Sequence, residues 1–164
     1  MQRPNTRFKR GLVAGLLGAA VVVIWFFILD VIAGQPFRTP AALGSSLLFG
    51  KSTIELSARV IVAYTVFHFL AFIVAGLLFV WITERIERRP SFVFFALLFV
   101  ILGEALALAN LATYAQWGLG SIGVWSVTIA NLLSIAVMAW YIWATHPVLR
   151  RLTDEPPPTG TVRV

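Results

Sequence analysis

Apolar residues along this chain fall into four long runs separated by charged residues, glycine, proline and aromatic rings. The runs cover residues 12–33, 60–83, 91–113 and 122–145. Each reaches the roughly 20 residues that a helix needs to cross a hydrocarbon core. The last two lie in an extreme stretch, because residues 90–149 carry a single formal charge, that of Glu104. Backbone polar groups in lipid must be satisfied within the segment itself, which selects helices. The pattern therefore predicts an all-α integral membrane protein, a four-transmembrane-helix bundle occupying residues 1–150.

A shorter element is predicted between the first two runs. Thr39-Pro40 reads as an N-cap followed by proline at the first helical position, and residues 41–49 carry Leu43, Leu47 and Leu48 before Gly50. That length cannot span, so the element is expected as an interfacial helix in the first outer loop. Ser52-Thr53-Ile54-Glu55 fits a capping box that would start the second membrane helix. Pro147 ends the fourth helix, and Asp154-Glu155-Pro156-Pro157-Pro158 marks residues 151–164 as a disordered cytoplasmic tail.

Charge then orients the runs. Arg3, Arg7, Lys9 and Arg10 precede the first; Arg85, Arg88 and Arg89 separate the second from the third; Arg150, Arg151 and Arg163 follow the fourth. Only Arg38, Lys51 and Arg59 belong to the other side. The positive-inside rule places both termini in the cytoplasm, in a multi-pass protein of the cytoplasmic (inner) membrane. The uncharged run from Gly11 to Leu29 exceeds a signal-peptide core of about 7–15 residues, so the first run reads as an uncleaved anchor. Trp81, Trp140, Tyr141 and Trp143 at one level, and Tyr114, Trp117 and Trp125 at the other, fit two interfacial aromatic belts.

Composition narrows the function classes. Hydrophobic residues make up 59% of 164, charged residues 12%, and the mean hydropathy is +0.88, which leaves no room for a separate soluble domain. The absence of cysteine excludes disulfides, iron–sulfur clusters and thiolate metal sites. A formal net charge of +6 would suit nucleic acid, but the basic residues flank apolar runs, so the lipid bilayer is the expected partner and nucleic acid is not.

Candidate chemistry reduces to polar groups at membrane depth. With a rise of about 1.5 Å per residue, His68, Glu104 and Asn131 each fall roughly 12–15 Å below the outer surface on three different helices. An ionisable side chain at that depth costs several kcal/mol and is a functional candidate by default. Glu104, His68 and Asn131 are thus expected to form an intramembrane polar network. Tyr64, Thr65, His68, Ala71 and Ala75 form the expected inner face of the second run, and Thr128, Asn131 and Ser134 that of the fourth. Asn110 and Asp30 sit higher, in reach of water. Gly11, Gly15 and Ala19, with Gly18 beside them, form a small-residue face that suits close helix packing, within the bundle or against a partner. A purely structural reading of these polar groups, as interhelical hydrogen-bond glue, stands beside the functional one.

No catalytic motif and no metal-ligand spacing is present. Gly118-Leu119-Gly120-Ser121-Ile122-Gly123 matches a dinucleotide fingerprint but follows a membrane helix and not a strand. The two histidines lie at different depths, which excludes a haem clamped between them; no cofactor is expected, and a singly ligated haem or a pigment is the class left open. The expected role is a small non-catalytic accessory or assembly subunit of a larger membrane complex, working with other membrane subunits or with copies of itself. The rival is a small oligomeric transporter or proton-coupled carrier that uses the Glu104–His68 pair.

Overall fold

The computed structural model describes residues 4–89, 91–94, 97, 98, 101, 105 and 124–145. Four α-helices account for most of them: α1 (Pro4–Ile32), α2 (Arg38–Leu43), α3 (Ala58–Arg88) and α4 (Val124–Thr145). A single π-helical turn, Gly44–Leu48, extends α2. No strand occurs among the described residues. Three helices are long and apolar enough to cross a membrane, over Thr6–Ile32, Ala58–Ile86 and Trp125–Thr145. Of the third predicted span, residues 92–94, 97, 98, 101 and 105 are helical, while Glu104 and Asn110 lie outside the described residues, as does the tail.

Helix α1 is the shared partner of α3 and α4. Its small residues determine how closely they approach. Gly11 faces Leu77, Gly15 faces Phe72 and Ile73, and the Ala19 carbonyl faces His68, so α3 runs antiparallel to α1. A Cβ on Gly15 would lie 2.7 Å from the Ile73 Cα, and one on Gly76 would lie 2.6 Å from the Gly15 nitrogen. These neighbours are backbone atoms, so the two helices touch main chain to main chain, and only hydrogen fits there. On the other flank Gly18 faces Ser134 and Met138, and Ala14 shares a small core with Val80 and Ile142. Helix α4 is therefore antiparallel to α1 as well. The small-residue face of α1 is consumed inside the bundle, half of it by each neighbour.

Two predicted details are corrected. The inner face of α3 follows Tyr64, His68, Phe72, Gly76 and Val80, whereas Ala71 and Ala75 are exposed. An i+4 series keeps one face, and a shift of one residue rotates the side chain by about 100°. The N-cap of α3 is Ser57, whose hydroxyl accepts from the Val60 N–H at 3.4 Å, and the helix starts after the proposed capping box. Glu55 instead receives hydrogen bonds from Lys51 and from the Ser57 hydroxyl, while its own N–H donates to the Ser45 hydroxyl at 2.9 Å. The Lys51 and Ser57 contacts hold the Glu55 carboxyl below its ordinary value.

The α2 segment rests on the bundle instead of lying apart from it. Thr39, Ala41, Ala42, Gly44 and Ser45 are buried, with Gly44 against Val60 and Tyr64. At the opposite end Arg7 pairs with Glu84 at 2.8 Å and ties the start of α1 to the end of α3. Outward faces remain apolar. Only 22%, 17% and 22% of the most apolar windows of α1, α3 and α4 is buried, so most of that surface needs lipid or protein around it.

Candidate functional site

Beyond Ala19 the small residues of α1 give way to Val22, Val23, Phe26 and Phe27. Bulky side chains cannot sustain the main-chain contact seen at Gly15, and a cavity of about 230 Å³ lies between this half of α1, the first half of α3 and the start of α2. Val22, Phe26 and Asp30 recur at i, i+4 and i+8 and line one wall. Ile61, Tyr64 and His68 line the wall opposite. Phe37, Thr39 and Leu43 close the end. Val23, Phe27 and Phe37 are on the lining and partly exposed, so this wall of the cavity lies at the surface of the bundle.

Asp30 and Thr39 form the polar corner. Asp30 is only 6% exposed, although its place near the end of α1 led to the expectation of partial hydration. Thr39 supplies what water would have supplied. Its N–H donates to Asp30 Oδ2 at 2.8 Å and its hydroxyl donates to Oδ1 at 2.7 Å. The loop between them is shaped for this: Gly34 takes a positive φ of 70°, and Phe37, at φ 67°, turns the chain into α2. The helix consequently begins at Arg38, one residue before the expected cap, which frees Thr39 to face Asp30. The Asp30 carboxylate is thus held by the two Thr39 hydrogen bonds and takes no part in the Arg7–Glu84 or Lys51–Glu55 pair.

His68 occupies the far end. It is buried, its Nε2 stands 3.4 Å from the Ala19 carbonyl, and Phe72 packs against its ring with centroids 4.6 Å apart. Tyr64 lies one turn away, 6.0 Å between ring centroids. Thr65 also lines the cavity, but its hydroxyl donates to the Ile61 carbonyl at 2.8 Å.

The structure thus gathers three predicted polar residues, Asp30, Tyr64 and His68, into one cavity, in a grouping that depth alone did not suggest. Ser134 is buried on the other side of α1, next to Gly18, at the level of His68. Thr128 and Asn131 are half-buried on α4 and are not on the cavity wall. The sequence marks Thr39 only as a cap and does not single out Phe26, Phe27 or Phe37. The i, i+4 alignment of Val22, Phe26 and Asp30 was a legible signal of a shared wall. The meeting of Thr39 with Asp30 was not, because it depends on the turn at Phe37. Among the described residues no group of His, Asp and Glu is arranged to hold a metal ion. Comparison with protein-family models, curated proteins and solved structures finds no match to this chain.

Proposed function

We propose that this chain is a non-catalytic accessory or assembly subunit of a larger membrane complex, crossing the bilayer four times with both termini in the cytoplasm. The observation that carries the reading is how polar side chains within the long helices are used. Thr65, Thr83 and Thr145 donate to the carbonyls of Ile61, Phe79 and Tyr141 four residues back in their own helices. His68 meets the Ala19 carbonyl, and the Ser134 hydroxyl lies 3.8 Å from the Met138 sulfur. Groups occupied in this way hold helices in place and form no continuous polar row. The broad apolar faces, in contrast, are open to lipid and to other subunits.

Chain direction supports the fourth crossing. Helix α3 ends beside Arg7, at the start of α1, whereas α4 begins at the opposite end of α1. The end of α3 and the start of α4 thus lie at opposite ends of α1, which favours a further crossing between them. With the ten basic residues at the cytoplasmic ends, this favours the stated orientation.

Two measurements test the proposal. Chemical cross-linking in native membranes followed by native mass spectrometry is expected to give one assembly of fixed stoichiometry containing this chain. A monodisperse particle of a single copy overturns the subunit reading. The chain has no cysteine, so single cysteines at Asn5 and Thr161 can be labelled selectively. An impermeant maleimide is expected to reach neither in intact cells and both in permeabilised ones; labelling of either in intact cells overturns the orientation.

A further inference from the structure

The cavity beside Asp30 goes beyond the subunit role and is independent of it. We propose that it binds a small lipophilic cation, an ammonium group carried on an apolar or aromatic body. Three features set the ligand class. The lining is mostly apolar, with Phe26, Phe27 and Phe37 among the walls and its polar groups confined to Asp30, Thr39, Tyr64, Thr65 and His68, so a strongly hydrophilic solute would lose more hydration than the walls replace. The Asp30 carboxylate at its corner is buried and oriented by both donors of Thr39. A carboxylate has about four acceptor positions, so two remain for a ligand. Phe27 and Phe37 stand 5.3 Å apart at 46°, forming an aromatic corner where the cavity meets the surface, and ring faces attract cations.

Size is consistent with this class. An apolar cavity of about 150 Å³ takes benzene, so 230 Å³ takes one ring with a small ammonium head. Val23, Phe27 and Phe37, on the lining and partly exposed, put this wall at the side of the bundle, the face that a compound dissolved in lipid meets. An anionic ligand is disfavoured by the carboxylate. A neutral ligand would leave the carboxylate unpaired in the low-dielectric cavity, where an opposite charge is worth most.

The test is isothermal titration of the full chain in phosphatidylcholine nanodiscs, with empty nanodiscs subtracted. Two probes of the same shape are compared: benzyltrimethylammonium, and neopentylbenzene, in which carbon replaces the charged nitrogen. Saturable binding of the cation is expected, at least about tenfold tighter than the neutral probe. Asp30→Asn keeps size and one acceptor oxygen for the Thr39 N–H but removes charge; it should lower cation affinity by about tenfold and leave the neutral probe unchanged. Phe37→Leu, a change at a partly exposed ring, should weaken the cation by about threefold with little effect on the neutral probe, and it serves where Asp30→Asn fails to fold. Equal affinity for the two probes, absence of saturable cation binding, or indifference of the cation to both substitutions overturns the proposal.

Discussion

Replacing Gly15 by alanine probes the central contact of the fold, and the sign of the result is informative. In an unpacked helix the change is favourable, because alanine exceeds glycine in helix propensity by about 0.8–1.0 kcal/mol. In this bundle the added Cβ would stand 2.7 Å from the Ile73 Cα and closer still to the Phe72 carbonyl oxygen. Neither is a flexible side-chain tip that can swing aside, so α1 and α3 must separate and loosen the contacts at Gly11 and Gly76. Over-packing of this kind costs about 1–3 kcal/mol, and a backbone obstacle puts it near the upper end. After the propensity gain is subtracted, a net loss of about 2 kcal/mol remains, or roughly thirtyfold in the unfolding equilibrium. Reversible unfolding in mixed micelles, followed by the fluorescence of the six tryptophans, measures it. Leu16→Ala, at an exposed neighbour, is the control and should shift stability far less. Gly76→Ala should act in the same direction, and the double variant should cost less than the sum, since either change alone already parts the helices. A Gly15→Ala protein as stable as the parent, or more so, would refute main-chain contact between α1 and α3.

Gly18→Ala should be milder, below about 1 kcal/mol, because the added methyl meets the Met138 sulfur and the Ser134 hydroxyl, side-chain atoms that can rotate away; the same unfolding assay checks it, and a loss equal to that of Gly15→Ala counts against the distinction. Thr39→Val removes the hydroxyl that donates to Asp30 Oδ1 and leaves the N–H bond to Oδ2; a loss of about 1.5–3 kcal/mol is expected, with faster amide exchange across residues 38–48. The Glu55 carboxyl titrates lower in the folded chain than in the unfolded one, through its contacts with Lys51 and Ser57. Its support of the loop is complete above the ordinary carboxylate range and is lost as pH falls through the lowered value. Protection of the amides at residues 51–57, taken as exchange relative to the intrinsic rate at each pH, should therefore fall toward acid pH, and Glu55→Gln should flatten that dependence.

Helix type and span placement were legible locally, because hydrophobic period and flanking residues belong to single segments. Residues 12–33 and 60–83 were bounded by chemistry a reader can see, and α1 and α3 extend past those bounds mainly into polar flanks, where nothing apolar marks the helix end, whereas α4 falls within 122–145. The small residues of α1 were equally visible, but their partners were not. Gly15 and Gly76 are 61 positions apart, and only the antiparallel crossing of two helices shows that each is the space the other needs. Depth along a helix is likewise a local quantity, and it grouped His68 with Asn131. Azimuth is not local: a rotation of about 100° per residue decides which wall a side chain joins. By that criterion His68 lies with Tyr64 and Asp30 on one side of α1, and Ser134 on the other. The sequence alone determined a helical chain with membrane-length apolar segments and the charges that flank them, since these follow from composition along a line. The tertiary structure decided that Asp30 is buried, that Thr39 sustains it, and that an aromatic cavity stands beside it, because each requires two helices and a turn to meet.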